Sequence, residues 1–338
     1  MTNVVISGYY GFKNFGDEAI LSILNDHFKK LGAKITVITS NPEYTQKKDT
    51  VETVKTFDIK NIIKVLNNSD VLVSGGGSLL QDVTSIKSLI YYSFIIFLAL
   101  IMRKKVLIFA QGIGPLNSKI SQFIVKNLLK HASFVSVRDE KSLKLLTDWK
   151  INAKLVCDPI FSVEIPNVEK EDKLIVQLRS FATLNDEFLE KLAQNINMNF
   201  ANLKIEILSL QDCLDKEVCE QFNKRLKNAN PNINTTLKTD LEPKEIIRTI
   251  SSAKYLIAMR FHAILIGVKA GVKTLAINYD TKVENLAKEF ELPILNLSQK
   301  NIFDEEFDKL KNLEASKLIE TSKSKTFDWS EFDKTLCN

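Results

Sequence analysis

The chain has 338 residues, 45% hydrophobic and 26% charged, which suffices for two domains with their own cores and has the balance of an ordinary globular protein. The formal net charge of +5 suits anionic ligands or an anionic membrane surface but makes no case for nucleic acid. The four cysteines, Cys157, Cys213, Cys219 and Cys337, form no CxxC pair and have only three histidines to assist them, which argues against a zinc site or a disulfide framework. Reduced thiols in a cytoplasmic protein are the simplest reading, and no charged segment precedes the first apolar run, so no secretory signal is expected.

In chain order, residues 4–7 read as a strand. Residues 17–31 read as a helix with Ile20, Leu24, Phe28 and Leu31 on one face. Residues 34–38 form a strand, 59–67 a helix and 71–73 a strand. The run 89–102, LIYYSFIIFLALIM, is too short to cross a bilayer. It is either a buried core helix or a helix lying on a membrane, with Arg103, Lys104 and Lys105 toward anionic lipid. Then come a strand at 106–109, a helix at 118–130 and a strand at 134–137. This alternation predicts a doubly wound α/β domain with a parallel sheet, and the continuously apolar strands predict helices on both faces.

The pattern breaks after Asp158 and Pro159, and the polar stretch 165–172 reads as a linker. A second series follows: a strand at 174–178, a helix from Asn185, a strand at 205–208, a helix through Phe222, and strands at 255–258 and 274–277. The end of the chain, from Asp304, is helical and charged. The expected architecture is two Rossmann-like doubly wound domains, 1–164 and 173–322, with a tail at 323–338. The two would face each other across a cleft at the carboxyl ends of their strands, where such sheets bind ligands.

The first strand runs into Gly8-Tyr9-Tyr10-Gly11-Phe12-Lys13-Asn14-Phe15-Gly16-Asp17-Glu18. Glycines let backbone amides approach a ligand, and a helix N-terminus favours anions. The spacing is neither the dinucleotide fingerprint nor a P-loop. Asp17 and Glu18 either complement the helix dipole or act as carboxylates at the cleft. Gly75, Gly76 and Gly77 follow a strand directly, as a tight turn or as a turn shaped around a sugar or phosphate. Gln111 and Gly112 repeat the arrangement one strand later. Arg138 opens the segment to Ser142 at another strand end, with an ion pair inside that segment as the alternative to ligand binding. In the second half Arg179 follows a strand, Arg260 and His262 follow another, and Lys282 follows a third. These supply cationic and hydrogen-bonding groups for a carboxylate plus a phosphate. Structural roles remain open for His262 and Lys282. No metal-ligating cluster is visible, so no metal and no cofactor are expected.

Taken in order, GYYGFKNFGDEAIL, SGGGSLLQD, QGIGP, RDEKS, Asp158-Pro159, MRFHAILIGVKAGV and NYDTKV resemble the polysaccharide pyruvyl transferase family, in particular its CsaB-like cell-wall branch. The resemblance runs from Gly8 to about Phe290. It implies a GT-B-like fold, phosphoenolpyruvate as donor and a 4,6-linked pyruvate ketal on a hexose as product. The implied acceptor is N-acetylmannosamine of a lipid-linked wall-polymer repeat made in the cytoplasm, at the inner face of the plasma membrane. It places donor binding on Arg138, Arg260, His262 and Lys282, and turns the N-terminal glycines and Asp17 toward the acceptor. Residues 182–241 carry no matching motif. Homo-oligomerisation and a peripheral membrane contact through 89–102 are compatible with this reading. The rivals are a nucleotide-sugar glycosyltransferase of the same architecture and a sugar-binding protein without activity, since fold does not determine function.

Overall fold

The computed structural model describes residues 2–83, 85–297 and 302–337, and the chain divides into two compact units. The first comprises Met1–Ser162 with Thr326–Asn338, the second Val163–Lys325.

The first unit holds strands β1 (Asn3–Ser7), β2 (Lys34–Thr39), β3 (Glu52–Lys55), β4 (Val71–Gly75), β5 (Lys105–Gln111), β6 (Phe134–Val137) and β7 (Lys154–Leu155). They pair in parallel in the order β3-β2-β1-β4-β5-β6-β7. The sequence turns outward in both directions from β1 and β4, the reversal typical of Rossmann sheets. The connecting helices are α1 (Phe15–Lys30), α2 (Pro42–Asp49), α3 (Ile59–Asn67), α4 (Ile86–Ile101), α5 (Lys119–Lys130) and α6 (Glu140–Asp148). α1 forms where Ile20, Leu24 and Phe28 recur every four residues, and all three are buried. Ser85 and Ser118 cap α4 and α5 by accepting from the amides of Ser88, and of Ile120 and Ser121. α3 to α6 share one core cluster with β4, β5 and β6.

The second unit repeats the plan. Its strands are β8 (Glu171–Gln177), β9 (Lys204–Leu208), β10 (Thr235–Lys238), β11 (Ala253–Ala258), β12 (Lys273–Asn278) and β13 (Ile294–Asn296). They are again parallel, in the order β10-β9-β8-β11-β12-β13. Its helices are α7 (Asp186–Phe200), α8 (Asp212–Ala229), α9 (Pro243–Ser251), α10 (Phe261–Lys269), α11 (Thr281–Glu289), α12 (Phe303–Asn312) and α13 (Ala315–Lys323). α10 is buried from Ala263 to Val268 and packs against α9, α11 and α13. A Cβ on Gly267 would stand 2.6 Å from Leu256 Cδ2 and 2.7 Å from Thr274 Oγ1, so glycine lets α10 approach β11 and β12 closely.

After α13 the chain returns to the first unit as α14 (Ser330–Cys337). There Trp329 stacks on His27 with ring centroids 3.6 Å apart, and Phe332 is buried among Phe28, Phe109 and Phe134. The polar segment at 165–172 ends inside β8, whose first two residues, Glu171 and Asp172, are exposed at the start of an otherwise buried strand.

Candidate functional site

In the first unit the sequence-selected residues gather at the carboxyl ends of β1, β4, β5 and β6. Gly11 has φ +81°, and its N–H donates to Glu18 Oε1 at 2.7 Å. Asn14 occupies the N-cap position of α1, and its side-chain amide donates to Asp17. Gly16, Asp17 and Glu18 lie in the buried first turn of α1. Burial pushes the Glu18 carboxyl up, although the Lys48 ammonium 3.5 Å away and the Gly11 N–H pull it down.

The three consecutive glycines have separate reasons. A side chain on Gly75 would strike Leu24 Cδ1 at 2.7 Å and the Tyr10 hydroxyl at 2.8 Å, and one on Gly76 would press on Ile20. Packing against α1 and Tyr10 bears on these two, and Gly76 also has a positive φ of +78°. Gly77, at φ +64°, faces Asp17: its Cβ position lies 2.7 Å from Asp17 Oδ1. One strand on, the Cβ position of Gly112 lies 2.6 Å from Ser78 Oγ and 3.2 Å from Asp139 Oδ2. Gln111 is fully buried, and its Nε2 donates to the carbonyl and hydroxyl of Ser74 at 2.9 and 2.8 Å. It acts as a strut between β4 and β5. Its Oε1 has no hydrogen-bond partner among the described residues.

Arg138 pairs outside its own segment. Its Nη1 donates to Asp158 Oδ2 at 2.6 Å, with both side chains largely buried. Asp139 is the N-cap of α6, accepting from the Ser142 amide and hydroxyl at 2.8 Å each. The segment from Arg138 to Ser142 is thus a strand end and a capped helix start, and the Asp158-Pro159 pair supplies the carboxylate.

In the second unit Arg179, Arg260, His262 and Lys282 stand at or just beyond the ends of β8, β11 and β12. Arg260 is 8% exposed, and its Nε and Nη2 donate to the two carboxylate oxygens of Asp215 at 2.6 Å each. Nη2 also reaches Gln211 Oε1 at 3.2 Å, and the Arg260 amide donates to Gln177 Oε1 at 2.7 Å. None of these bonds uses Nη1. Asp215 is fully buried at the start of α8 and also accepts from the amides of Leu210 and Gln211. This bidentate clamp fixes the plane of the guanidinium and offsets most of its charge. Arg179 lies over the Tyr279 ring, 5.1 Å from its centroid, with Nη1 3.2 Å from the phenol oxygen. Its Nε is buried without a hydrogen-bond partner among the described residues. Burial and the neighbouring Asp280 push the Tyr279 phenol up, while Arg179 and Arg260 pull it down. His262 lies in the first turn of α10 with its ring edge-on to Phe261. The Lys282 amide is held by Asp280, the N-cap of α11.

Sequence reasoning missed Asp215, Gln211, Gln177 and Tyr279. Asp215 and Gln211 fall in the segment without a recognisable motif. Their one local signal is the four-residue spacing that sets them on one side of a helix start.

Two parallel Rossmann-type sheets in one chain, with polar and charged side chains collected at their carboxyl ends, define a protein of GT-B-like fold. Solved structures agree across the whole chain. UDP-GlcNAc 2-epimerase from Neisseria meningitidis, bound to UDP-GlcNAc, superposes with a TM-score of 0.65 at 11% identity, covering 100% of both chains. A putative UDP-N-acetylglucosamine 2-epimerase from Listeria monocytogenes gives 0.67 at 9% identity over 99% of this chain and 98% of its own. Anabaena HepE in complex with UDP gives 0.62 at 10% identity over 100% and 98%. At such identities the likeness concerns the fold alone. No curated protein matches the sequence. A family model described as polysaccharide pyruvyl transferase matches residues 14–281, and the chain belongs to that family. It is accordingly a transferase of polysaccharide biosynthesis.

Proposed function

We propose that the protein moves the pyruvyl group of phosphoenolpyruvate onto a hexose, N-acetylmannosamine in a lipid-linked wall-polymer repeat, forming a 4,6-ketal and releasing phosphate at the cytoplasmic face of the membrane. Support for the pyruvyl group comes from family membership. The observation that carries the donor half is Arg179, a half-buried residue whose Nε is itself buried and lacks a hydrogen-bond partner among the described residues. Leaving a buried charged donor unsatisfied costs roughly 1–3 kcal/mol or more, and an anionic ligand removes that cost.

The chemistry sets the requirements. Protonation of the enol methylene carbon gives an oxocarbenium-like centre at the adjacent carbon. One sugar hydroxyl attacks it, the carbon–oxygen bond to phosphate breaks, and the second hydroxyl closes the ketal. In balance, one hydroxyl proton ends on the new methyl group and the other on phosphate. This needs an acid for carbon, a base for the hydroxyls and cations for the phosphate. We assign phosphate and carboxylate binding to Arg179, Lys282 and the Nη1 edge of Arg260. His262 holds or protonates the leaving phosphate. Asp17 serves the acceptor as acid or base, beside Gly77. No metal or cofactor enters this scheme.

The test is to mix the purified protein with phosphoenolpyruvate and a lipid-linked ManNAc-GlcNAc acceptor. Phosphate should be released, and mass spectrometry should show one pyruvyl increment on the acceptor. In heavy water the new methyl should carry deuterium. His262→Ala with undiminished turnover would remove His262 from the scheme. The full-length superposition on UDP-bound structures favours one rival, a UDP-sugar glycosyltransferase. Saturation-transfer NMR showing contact with UDP-sugars and none with phosphoenolpyruvate would establish that rival instead.

A further inference from the structure

We propose that the face formed by α4 and α5 docks on an anionic lipid surface. α4 is covered on one side by the core and bare on the other. Leu89, Ile95 and Ala99 are buried, whereas Ile86, Ile90, Phe94, Phe97 and Ile101 are between 38% and 57% exposed. These five recur at helical spacing and form one apolar stripe along the outer side of the helix. Beside it, α5 presents Ile120 and Phe123 at 72% and 70% exposure. Between the two helices runs an open groove of 760 Å³, lined by Phe97, Ile101 and Phe123 together with Arg103, Lys104 and His131. An apolar patch this continuous on a water-exposed face marks an interaction site.

Charge decides the occupant. Residues 83–130, which contain both helices, carry seven of the chain's 46 Lys and Arg and none of its 41 Asp and Glu. The +5 net charge is therefore concentrated here, and the rest of the chain is net negative. Lys104 donates to the carbonyl of Asn67, and Lys105 to those of Thr335 and Leu336, so their ammonium groups meet neutral partners. A second copy of the chain packed on this face by two-fold symmetry would set basic edge against basic edge. An anionic bilayer accepts the aromatic and aliphatic side chains below its headgroups and matches the basic edge with phosphates. α4, at 16 residues, spans about 24 Å, and no helix among the described residues is long and apolar enough to cross a membrane. Contact is thus in the plane of the surface, with α4 kept on its sheet. The inference concerns the first unit alone and stands whether or not the acceptor is lipid-linked.

Flotation of the full chain with vesicles of phosphatidylcholine containing about 30 mol% phosphatidylglycerol, against pure phosphatidylcholine, tests it. Binding to the anionic vesicles is expected, weakened at least several-fold by about 0.5 M salt. Phe97→Glu/Phe123→Glu should weaken it about tenfold or more, and so should Lys119→Glu/Lys130→Glu, with circular-dichroism melting unchanged. If the first pair fails to fold, the lysine pair, on exposed positions, decides alone. Absence of flotation overturns the proposal, and so does equal flotation with both vesicle types. A dimer in sedimentation equilibrium that the phenylalanine pair dissociates, without vesicle binding, assigns the face to self-association instead.

Discussion

The two units share a strand order but equip corresponding strand ends with opposite chemistry. In the first, the ends of β1, β4 and β5 carry glycine turns, two buried carboxylates and backbone amides. In the second, the matching ends of β8, β11 and β12 carry Arg179, Arg260, His262 and Lys282. At these corresponding strands one scaffold thus offers close backbone approach in one place and cationic side chains in the other. The ways of holding these groups differ as well. At β1 and β4 the first unit uses packing, with Leu24, Ile20 and Tyr10 pressed against the glycines, and keeps its buried Arg138–Asp158 pair one strand beyond β5. The second uses a buried charge pair, Arg260 on Asp215.

That difference predicts the largest effect. Asp215→Ala leaves the Arg260 guanidinium buried without its carboxylate, and breaking a buried pair on one side costs about 3–5 kcal/mol. For a unit of this size that corresponds to a fall in Tm on the order of 10 °C, read by calorimetry as a shift in the melting of the second unit. Phosphate release should fall with it, because the guanidinium plane is no longer fixed. A loss below about 1 kcal/mol would mean that Gln177 and Gln211 suffice to hold Arg260.

In the first unit the comparable test is Gly77→Ala. The left-handed backbone alone costs an L residue about 1–2 kcal/mol, and the new methyl would meet Asp17 Oδ1 at 2.7 Å. Gly32→Ala is the control: its φ is +68° and nothing lies within 4 Å of its Cβ position. Both variants should lose similar backbone energy, measured by urea unfolding. Only Gly77→Ala should also lose activity, by displacing Asp17. Equal activity in the two would leave the Gly77 turn as a structural feature alone.

Arg179→Met separates ligand binding from stability in the second unit. The guanidinium contributes a stacked contact and one phenol hydrogen bond, worth about 1 kcal/mol or less where partly exposed. Stability should change little, while KM for phosphoenolpyruvate should rise about tenfold, equivalent to about 1.4 kcal/mol. Steady-state phosphate release checks it. An unchanged KM with lowered stability would make Arg179 a support for Tyr279.

The fold was largely legible in the sequence because its signals are local. The period of Ile20, Leu24 and Phe28 sets the buried face of α1, and the apolar runs of β4 and β5 announce strands covered on both sides. Short polar elements escaped. α2 buries only Thr45 and Asp49, so it has no apolar stripe to read, and β3 has one buried residue, Val54. The site was legible in position and not in partnership. Strand ends locate Arg138 and Arg260, but their carboxylates stand 20 and 45 residues away, at Asp158 and Asp215. No periodicity connects residues at such distances. The triple glycine shows the same limit: only the packed structure reveals that two of the three also lie against α1 and Tyr10.

The smallest predicted effect returns to the first unit and to Glu18. Burial holds its folded-state carboxyl above the ordinary value of 4.5. Between that value and the raised one, the native state keeps a proton that the unfolded chain has lost. Stability therefore falls as pH rises through this window, by at most about 1.4 kcal/mol per pH unit. An amide at this position does not titrate, so Glu18→Gln should gain on the parent protein as pH rises from about 4.5 and then level off. The substitution leaves little else disturbed. An amide oxygen can still accept from the Gly11 N–H, and Lys48 keeps Asp49 at 2.5 Å and the Ser22 hydroxyl at 3.1 Å. Denaturant unfolding of both proteins across about pH 4 to 8 gives the difference curve, roughly the span in which such carboxyls titrate. A flat curve would place the Glu18 charge fully in balance with Lys48. A curve rising with pH would show that burial outweighs the lysine, and that the first unit keeps this acidic group at its strand ends at a cost in stability.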